Sequence, residues 1–340
     1  MERQTCRLKP ILLHYYLTNR CNSRCSFCSI WRENPKVDAS VNDVIENLKS
    51  ARKAGCSFVD FTGGEPLLHN DLPFILQEAK KSGFITSVTT NCILFPERAK
   101  SLSGLIDLLH FSLDGDCAEV HDNIRGVPSF HTVLKSIDIA IENHLYPDLL
   151  FTYTNDNIHH FEGVYKLALE KKLMLILDPV FDPAGSDPVW ESTHKSAISY
   201  GRRKGVYLNS AHLTLRKRGG NHITRPFCKA VDSTIVILPD NTLALPCFHH
   251  VSKKIPVNNN LKAILKSLEH SEAANMQGRK NFCENCHINC YFDPSYLRFP
   301  NRLFFESIFS KFKYSYTKYL IYGRPLPFNL LKKSYFSNTY

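Results

Sequence analysis

Thr18-Asn19-Arg20-Cys21-Asn22-Ser23-Arg24-Cys25-Ser26-Phe27-Cys28 follows directly on an apolar, strand-like run over residues 11–17. The Cys-x3-Cys-x2-Cys spacing lets one tight loop wrap a single metal cluster. Cysteine thiolates are the usual protein ligands of [4Fe–4S] clusters, and three of them leave one iron open to a ligand that is not protein. A structural zinc loop is the competing reading. Such sites are closed by four ligands, and the other nearby candidate, His14, lies back inside the strand.

Outward from this loop the chain alternates. Residues 41–54 place Val44, Ile45, Leu48 and Ala51 near helical spacing, with Ser40 or Asn42 to cap the start and Gly55 to end it. A strand is expected over 58–62, a helix over 71–82 closed by Gly83, and a strand over 85–89. Pro96 can open a short helix, and 108–113 reads as a fourth strand. Then come a helix over 130–142, a strand over 149–153, a helix over 159–171, a strand over 173–177 and a helix near 193–204. Six strand–helix units in succession imply a parallel sheet with helices outside. They are too few for a full eight-unit barrel, so an open doubly wound sheet and a partial barrel both fit the pattern. In either, ligands gather at the C-terminal ends of the strands, which is where the cysteine loop sits.

The second strand ends in Gly63-Gly64-Glu65-Pro66. Paired glycines let backbone approach a ligand closely, and a carboxylate beside free carbonyls suits an ammonium group. Taken alone the tetrapeptide could be an ordinary turn. Placed one strand after a Cys-x3-Cys-x2-Cys loop, it resembles the S-adenosylmethionine (SAM) site of the radical SAM enzymes. The resemblance covers roughly residues 8–205 and implies a partial (βα)6 TIM-like barrel. It implies that Cys21, Cys25 and Cys28 hold a catalytic [4Fe–4S] cluster, that SAM occupies the open iron, and that Gly63, Gly64, Glu65 and Pro66 hold the SAM amino group. Phe27 takes the place of an aromatic near the adenine. Asn91, Ser112, Asp114 and Arg125 fall at further family positions; a planar arginine fork can grip the SAM carboxylate with two hydrogen bonds. Where the family has glycine after the asparagine, this chain has Cys92. As plain residues, Asp114 reads equally as a cap or turn and Arg125 as a surface charge.

Past residue 220 the alternation stops. Cys228 and Cys247 bracket a hairpin pattern turning at Pro239-Asp240-Asn241, and Cys283, Cys286 and Cys290 follow. This resembles the SPASM module of radical SAM enzymes, or its shortened twitch form, over residues 221–295. It implies a second, auxiliary [4Fe–4S] cluster on Cys228, Cys247, Cys283 and Cys286, with Cys290 as an alternative. A four-cysteine zinc site is the rival, and His249, His250 or His287 could replace a cysteine in either. Cys6, Cys56, Cys92 and Cys117 fit no pattern and read as ordinary thiols.

Composition sets the remaining bounds. With 43% apolar and 22% charged residues over 340 positions, the chain reads as globular. No leader-like apolar stretch opens it, and no run approaches the about 18 apolar residues of a membrane span. Twelve clustered cysteines without a disulfide pattern fit metal binding in a reducing, cytoplasmic setting. Residues 296–340 carry fourteen Phe or Tyr, eight Lys or Arg and one acid, Glu306. That extension could pack on the barrel or make peripheral membrane contact; nucleic acid is not expected, because no recognition module accompanies it. The resemblance implies reductive SAM cleavage to a 5′-deoxyadenosyl radical that takes hydrogen from a peptide or small-molecule substrate. It also implies an external one-electron donor such as flavodoxin or ferredoxin. The competing class is a non-catalytic iron–sulfur or zinc scaffold or electron carrier.

Overall fold

In β1 (Leu12–Thr18), alternate residues serve two different environments. Leu13, Tyr15 and Leu17 enter the main core with Val44, Leu48 and Ala51 of α1 (Val41–Ala54). On the other face His14 meets Asp60 at 3.0 Å, and Tyr16 joins a second apolar cluster. The computed structural model describes residues 9–298 and 300–327; Cys6 and the end of the basic extension lie outside them.

The alternation continues through β2 (Phe58–Gly63), α2 (Leu72–Lys81), β3 (Ile85–Thr90), α3 (Phe95–Leu102) and β4 (Leu108–Ser112). Next are α4 (Ala118–Arg125), α5 (Phe130–Glu142), β5 (Asp148–Tyr153), α6 (Phe161–Glu170), β6 (Leu175–Pro179) and α7 (Glu191–Gly201). The fold class is therefore α/β, and β1 to β6 pair in parallel in chain order, as strand–helix repeats require. The sixth strand starts two residues later than its apolar run: Lys172 turns the chain at φ +52, and pairing with β5 begins at Leu175. The helix expected near 193–204 instead starts at Glu191, after an extended Trp190, and stops at Gly201.

A short β7 (Val206–Tyr207) extends the sheet beyond β6, and α8 (Ser210–Lys217) follows it. The chain then crosses to the opposite edge. After a single turn, α9 (Ala230–Ser233), the expected hairpin forms as β8 (Thr234–Ile237) and β9 (Thr242–Leu245). Asn241 takes the left-handed turn position at φ +56, which asparagine tolerates better than most residues. β8 lies parallel to β1, Leu12–Tyr15 pairing with Thr234–Ile237, so the hairpin extends the same sheet. A third strand, β10 (Lys253–Pro256), pairs antiparallel with β9. The sheet order is β10-β9-β8-β1-β2-β3-β4-β5-β6-β7, and it is not closed.

Four helices complete the described chain: α10 (Leu261–Ile264), α11 (Leu268–Met276), α12 (Asn289–Tyr296) and α13 (Arg302–Ser315), the last running into a π-turn over Tyr316–Ile321. α13 packs on α8 and β7 and covers the edge that β7 would otherwise expose. Lys318 in the π-turn reaches Asp148, the first residue of β5, at 2.7 and 2.9 Å, with Tyr314 bonded to both partners. No helix among the described residues is long and apolar enough to cross a membrane.

Candidate functional site

The cysteine loop leaves β1 at its C-terminal end and is fastened by backbone to the end of β2 and to α4. Gly64 N–H donates to Thr18 O at 2.7 Å and Glu65 N–H to Arg20 O at 2.8 Å. Arg24 N–H donates to Arg125 O and Ser26 N–H to Ile124 O, tying the loop to the last turn of α4. The glycines are required by this approach. A Cβ on Gly64 would stand 2.0 Å from Arg20 O, and one on Gly63, at φ +136, would stand 2.1 Å from Thr18 O. Gly126 closes α4 in the left-handed region with Arg24 O 2.6 Å from where its Cβ would be. The room the sequence left for a ligand beside Gly63 and Gly64 is thus taken in part by the cluster loop itself.

Glu65 is buried and turned inward. Its Oε1 accepts from Leu67 N–H and from the Thr90 hydroxyl, and its Oε2 from Asn91 N–H at 2.8 Å. Burial raises its pKa even against those donors. The carboxylate therefore joins the end of β2 to the end of β3, while Pro66 opens a single helical turn behind it. Asn91 donates to Asn22 Oδ1 at 2.7 Å and Ser23 Oγ at 2.9 Å, so β3 also braces the loop. Neither Asn22 nor Ser23 stood out in the sequence, since a polar residue between cysteines carries no signal of its own. Cys92, which stands where the resemblance implied glycine, takes the left-handed region at φ +67.

Arg125 is buried, not a surface charge. Its Nη2 pairs with Asp114 at 2.5 Å, its Nη1 lies 3.6 Å from Cys25 Sγ, and its guanidinium stands 5.6 Å from the Phe27 ring centroid. Burial opposes its charge, yet Asp114 and Cys25 hold its pKa above the ordinary value. Asp114 also accepts from Thr152 N–H at 2.8 Å, linking β4 to β5, so it is neither a cap nor a free turn residue. Ser112 ends β4 and is buried beside them. Arg125 Nε has no hydrogen-bond partner among the described residues. The donor set here is three thiols on one loop with a fixed cation beside the middle one. That set fits a cluster held by three cysteines, and an unpartnered N–H fits a further polar ligand. Burial pushes the Cys21 thiol up to about 11 and raises Cys28, a cost that a thiolate-binding metal reverses.

The second set converges too. Cys228, Cys247, Cys283 and Cys286 line one small cavity whose other walls include Ala230, Pro246, Ile288 and Phe292. Cys290, on α12, does not line it. His250 lines the cavity but aims Nε2 at Pro183 O, 2.8 Å away, and His287 turns Nδ1 to Asn285 O. His249 packs edge-on to Phe181 and Tyr291. The residue that organises this site was not legible in the sequence. Asn221, fully buried, donates to Gly278 O and Cys283 O and accepts from Phe227 and Cys228 N–H. Burial pushes Cys247 up to about 12 and Cys286 to about 11.

One apolar cluster spans the space between the two sets. It includes Tyr16, Ile30, Val236, Leu238, Ile288 and Tyr291, and Cys28, Cys228, Cys247, Cys286 and Cys290 pack against it. Tyr16 stacks on Phe248 at 4.1 Å. Near it Asp178, at the end of β6, accepts from Asn289 Nδ2 at 2.8 Å, and burial raises its pKa to about 6.

Residues 15–168 match the Radical SAM superfamily. GTP 3′,8-cyclase of Clostridium acetobutylicum is 31% identical over 158 residues, 44% of this chain and 49% of that protein. A probable GTP 3′,8-cyclase of Saccharolobus solfataricus is 36% identical over 139 residues, 40% of this chain and 45% of that protein. The chain thus spans about half the length of the curated relatives it matches. Among solved structures, native anSMEcpe with bound AdoMet aligns over 92% of this chain and 99% of its own, at TM-score 0.62 and 16% identity. Streptococcus suis SuiB bound to precursor peptide SuiA aligns over 86% of this chain and 75% of its own, at TM-score 0.62 and 16% identity. At such identities the likeness is one of fold. The match to the radical SAM superfamily rests on residues 15–168, less than half of the chain.

Proposed function

We propose that this protein is a SAM-dependent radical enzyme acting on a peptide or small-molecule substrate, with an auxiliary [4Fe–4S] cluster behind the reaction space. The observation that carries the reading is the three-thiol loop braced by Gly64, Glu65, Asn91 and Arg125, with the Arg125 guanidinium set against Cys25 Sγ. Cys21, Cys25 and Cys28 hold the first cluster; Cys228, Cys247, Cys283 and Cys286 hold the second. When bound, the first cluster and SAM supply a 5′-deoxyadenosyl radical by one-electron cleavage of the C5′–S bond, the electron coming from a flavodoxin- or ferredoxin-like donor. The chain's own work is positioning and exclusion. Carbonyls around Gly63 to Pro66 receive the SAM amino group, Arg125 Nε offers a donor to its polar parts, Asn91 backs the site by holding Glu65, Asn22 and Ser23 in place, and Phe27 flanks the adenine. Tyr16, Phe248 and Tyr291 keep the space between the thiol sets apolar.

A single tetrahedral zinc ion is disfavoured by geometry. Thiolates bound to one ion at 2.3 Å stand about 3.8 Å apart. Among the described residues, the one trio of His, Cys, Asp or Glu with all ligand atoms within 4.8 Å is Asp116, Cys117 and His160. Both thiol sets are more spread, as ligands of different irons must be. The peptide class draws on the likeness in fold to SuiB, solved with its precursor peptide. A reducing, cytoplasmic setting belongs with this chemistry.

The test is anaerobic reconstitution with iron and sulfide, followed by dithionite and SAM. Formation of 5′-deoxyadenosine by the wild-type chain, lost in Cys25→Ala, is the expected result. Iron-loaded protein that makes no more 5′-deoxyadenosine than Cys25→Ala would instead mark an electron carrier or scaffold.

A further inference from the structure

α13 is amphipathic the wrong way round. A surface helix normally turns its apolar stripe to the core and its polar face to water. Here the face toward α8 and β7 is mostly small or polar: Leu303, Ser307, Ser310, Thr317 and Lys318 are the buried positions. Those residues are fixed by hydrogen bonds. The Ser210 and Ser310 hydroxyls meet at 2.8 Å, Lys313 Nζ donates to Gly201 O at 2.6 Å, and Lys318 is held by Asp148. The opposite face carries Phe305, Ile308, Phe309, Phe312, Tyr316 and Leu320, each between 43% and 73% exposed. Their spacing of three, one, three, four and four residues keeps them on one stripe along about 23 Å of helix. Phe309 also borders a groove under α7, β7 and α8, whose rim carries Arg202, Lys217 and Lys313 and whose lining holds no acidic side chain. Contiguous exposed apolar surface of this kind marks an interaction site.

We propose that this face of α13 docks on an anionic phospholipid bilayer. Charge selects the occupant. In residues 296–340 Lys311 and Lys318 are paired with Asp293 and Asp148, and Arg302 with Glu306, so the charge beside the stripe is that of Arg202, Lys217 and Lys313 at the groove, whose lining holds no acid. A row of phenylalanines flanked by cations fits the boundary between headgroups and acyl chains, where apolar burial and attraction to anionic lipid add. The helix lies in the plane of the surface, since it is neither long nor apolar enough to cross. Nothing in this inference depends on the reaction at the cysteine loops.

The experiment is sedimentation of the full chain with vesicles of phosphatidylcholine alone and of equal parts phosphatidylcholine and phosphatidylserine. Expected is cosedimentation with the anionic vesicles, weakened by salt, and a drop of about tenfold or more in Phe309→Glu/Phe312→Glu and in Arg202→Glu/Lys217→Glu. These side chains face solvent, so the variants should keep wild-type iron content and thermal stability, which are measured alongside. Three results would overturn the proposal. One is wild-type protein that stays in the supernatant with both vesicle types. Another is cosedimentation unchanged in the phenylalanine pair. The third is a self-associating wild type that the same pair renders monomeric without any vesicle binding, which would assign the face to a second copy of the chain.

Discussion

Gly64 shows how narrowly a single side chain constrains the site. Its backbone conformation is one any residue could adopt, so freedom at φ is not what it supplies. Space is: an added methyl would meet Arg20 O at 2.0 Å and Cys21 Cβ at 3.1 Å, and backbone cannot swing aside as a flexible side chain can. Gly64→Ala should therefore push the Arg20–Cys21 peptide out of register and cost about 1–3 kcal/mol of stability. Iron and sulfide at the first site should fall with it while the second site stays loaded. A melting curve and an iron count on the same sample check both halves, and a variant with full iron and an unshifted melt would contradict the packing argument. The tetrapeptide was legible as a place of close approach, yet what approaches was not. Thr18 and Arg20 lie more than forty positions upstream, and a local pattern carries no record of a partner at that distance. The burial of Arg125 was illegible for a related reason: taken as a plain residue, a lone arginine in a polar helix resembles a solvated charge until Asp114 and Cys25 are seen around it.

At the scale of elements, alternation of period two and period 3.6 was enough to find the six parallel strands and most of their helices. The order of the sheet beyond them was not readable, because β8 pairs with β1 across more than two hundred residues and β7 has two. The C-terminal extension is the sharpest case. In the sequence Lys318 is one cation among many aromatics. In the fold it is 4% exposed and its ammonium sits between both Asp148 oxygens and Tyr314. Removing one partner of a buried pair leaves the other charge without compensation, typically at about 3–5 kcal/mol, whereas removing both costs far less. Lys318→Met should lower the urea midpoint markedly, and Lys318→Met/Asp148→Asn should recover much of the loss. A double variant no better than the single one would mean that the pair does not anchor the π-turn to β5.

For the whole molecule, the single sheet explains why two thiol sets far apart in sequence share one apolar cluster. β1 delivers the first loop, and its neighbour β8 leads into the strand that ends near Cys247, so strand pairing alone sets the two sites side by side. The division of the five later cysteines follows from the same geometry. Cys283 and Cys286 stand on the segment before α12 and reach the cavity with Cys228 and Cys247; Cys290, the second residue of α12, does not line it. Burial, then Asp178 and Cys247, raise the Cys290 thiol above its ordinary value, but burial raises Cys228, Cys247 and Cys286 too, so the cavity lining and not titration separates them. Two substitutions separate the assignments. Cys286→Ala should retain one cluster's worth of iron and sulfide, with 5′-deoxyadenosine formation still supported by the first loop. Cys290→Ala should retain both clusters. The reverse pattern, full loading without Cys286 and half loading without Cys290, would place the auxiliary ligands on α12 and would require that helix to turn toward the cavity. Equal losses in both variants would instead point to five thiols sharing more than one metal centre.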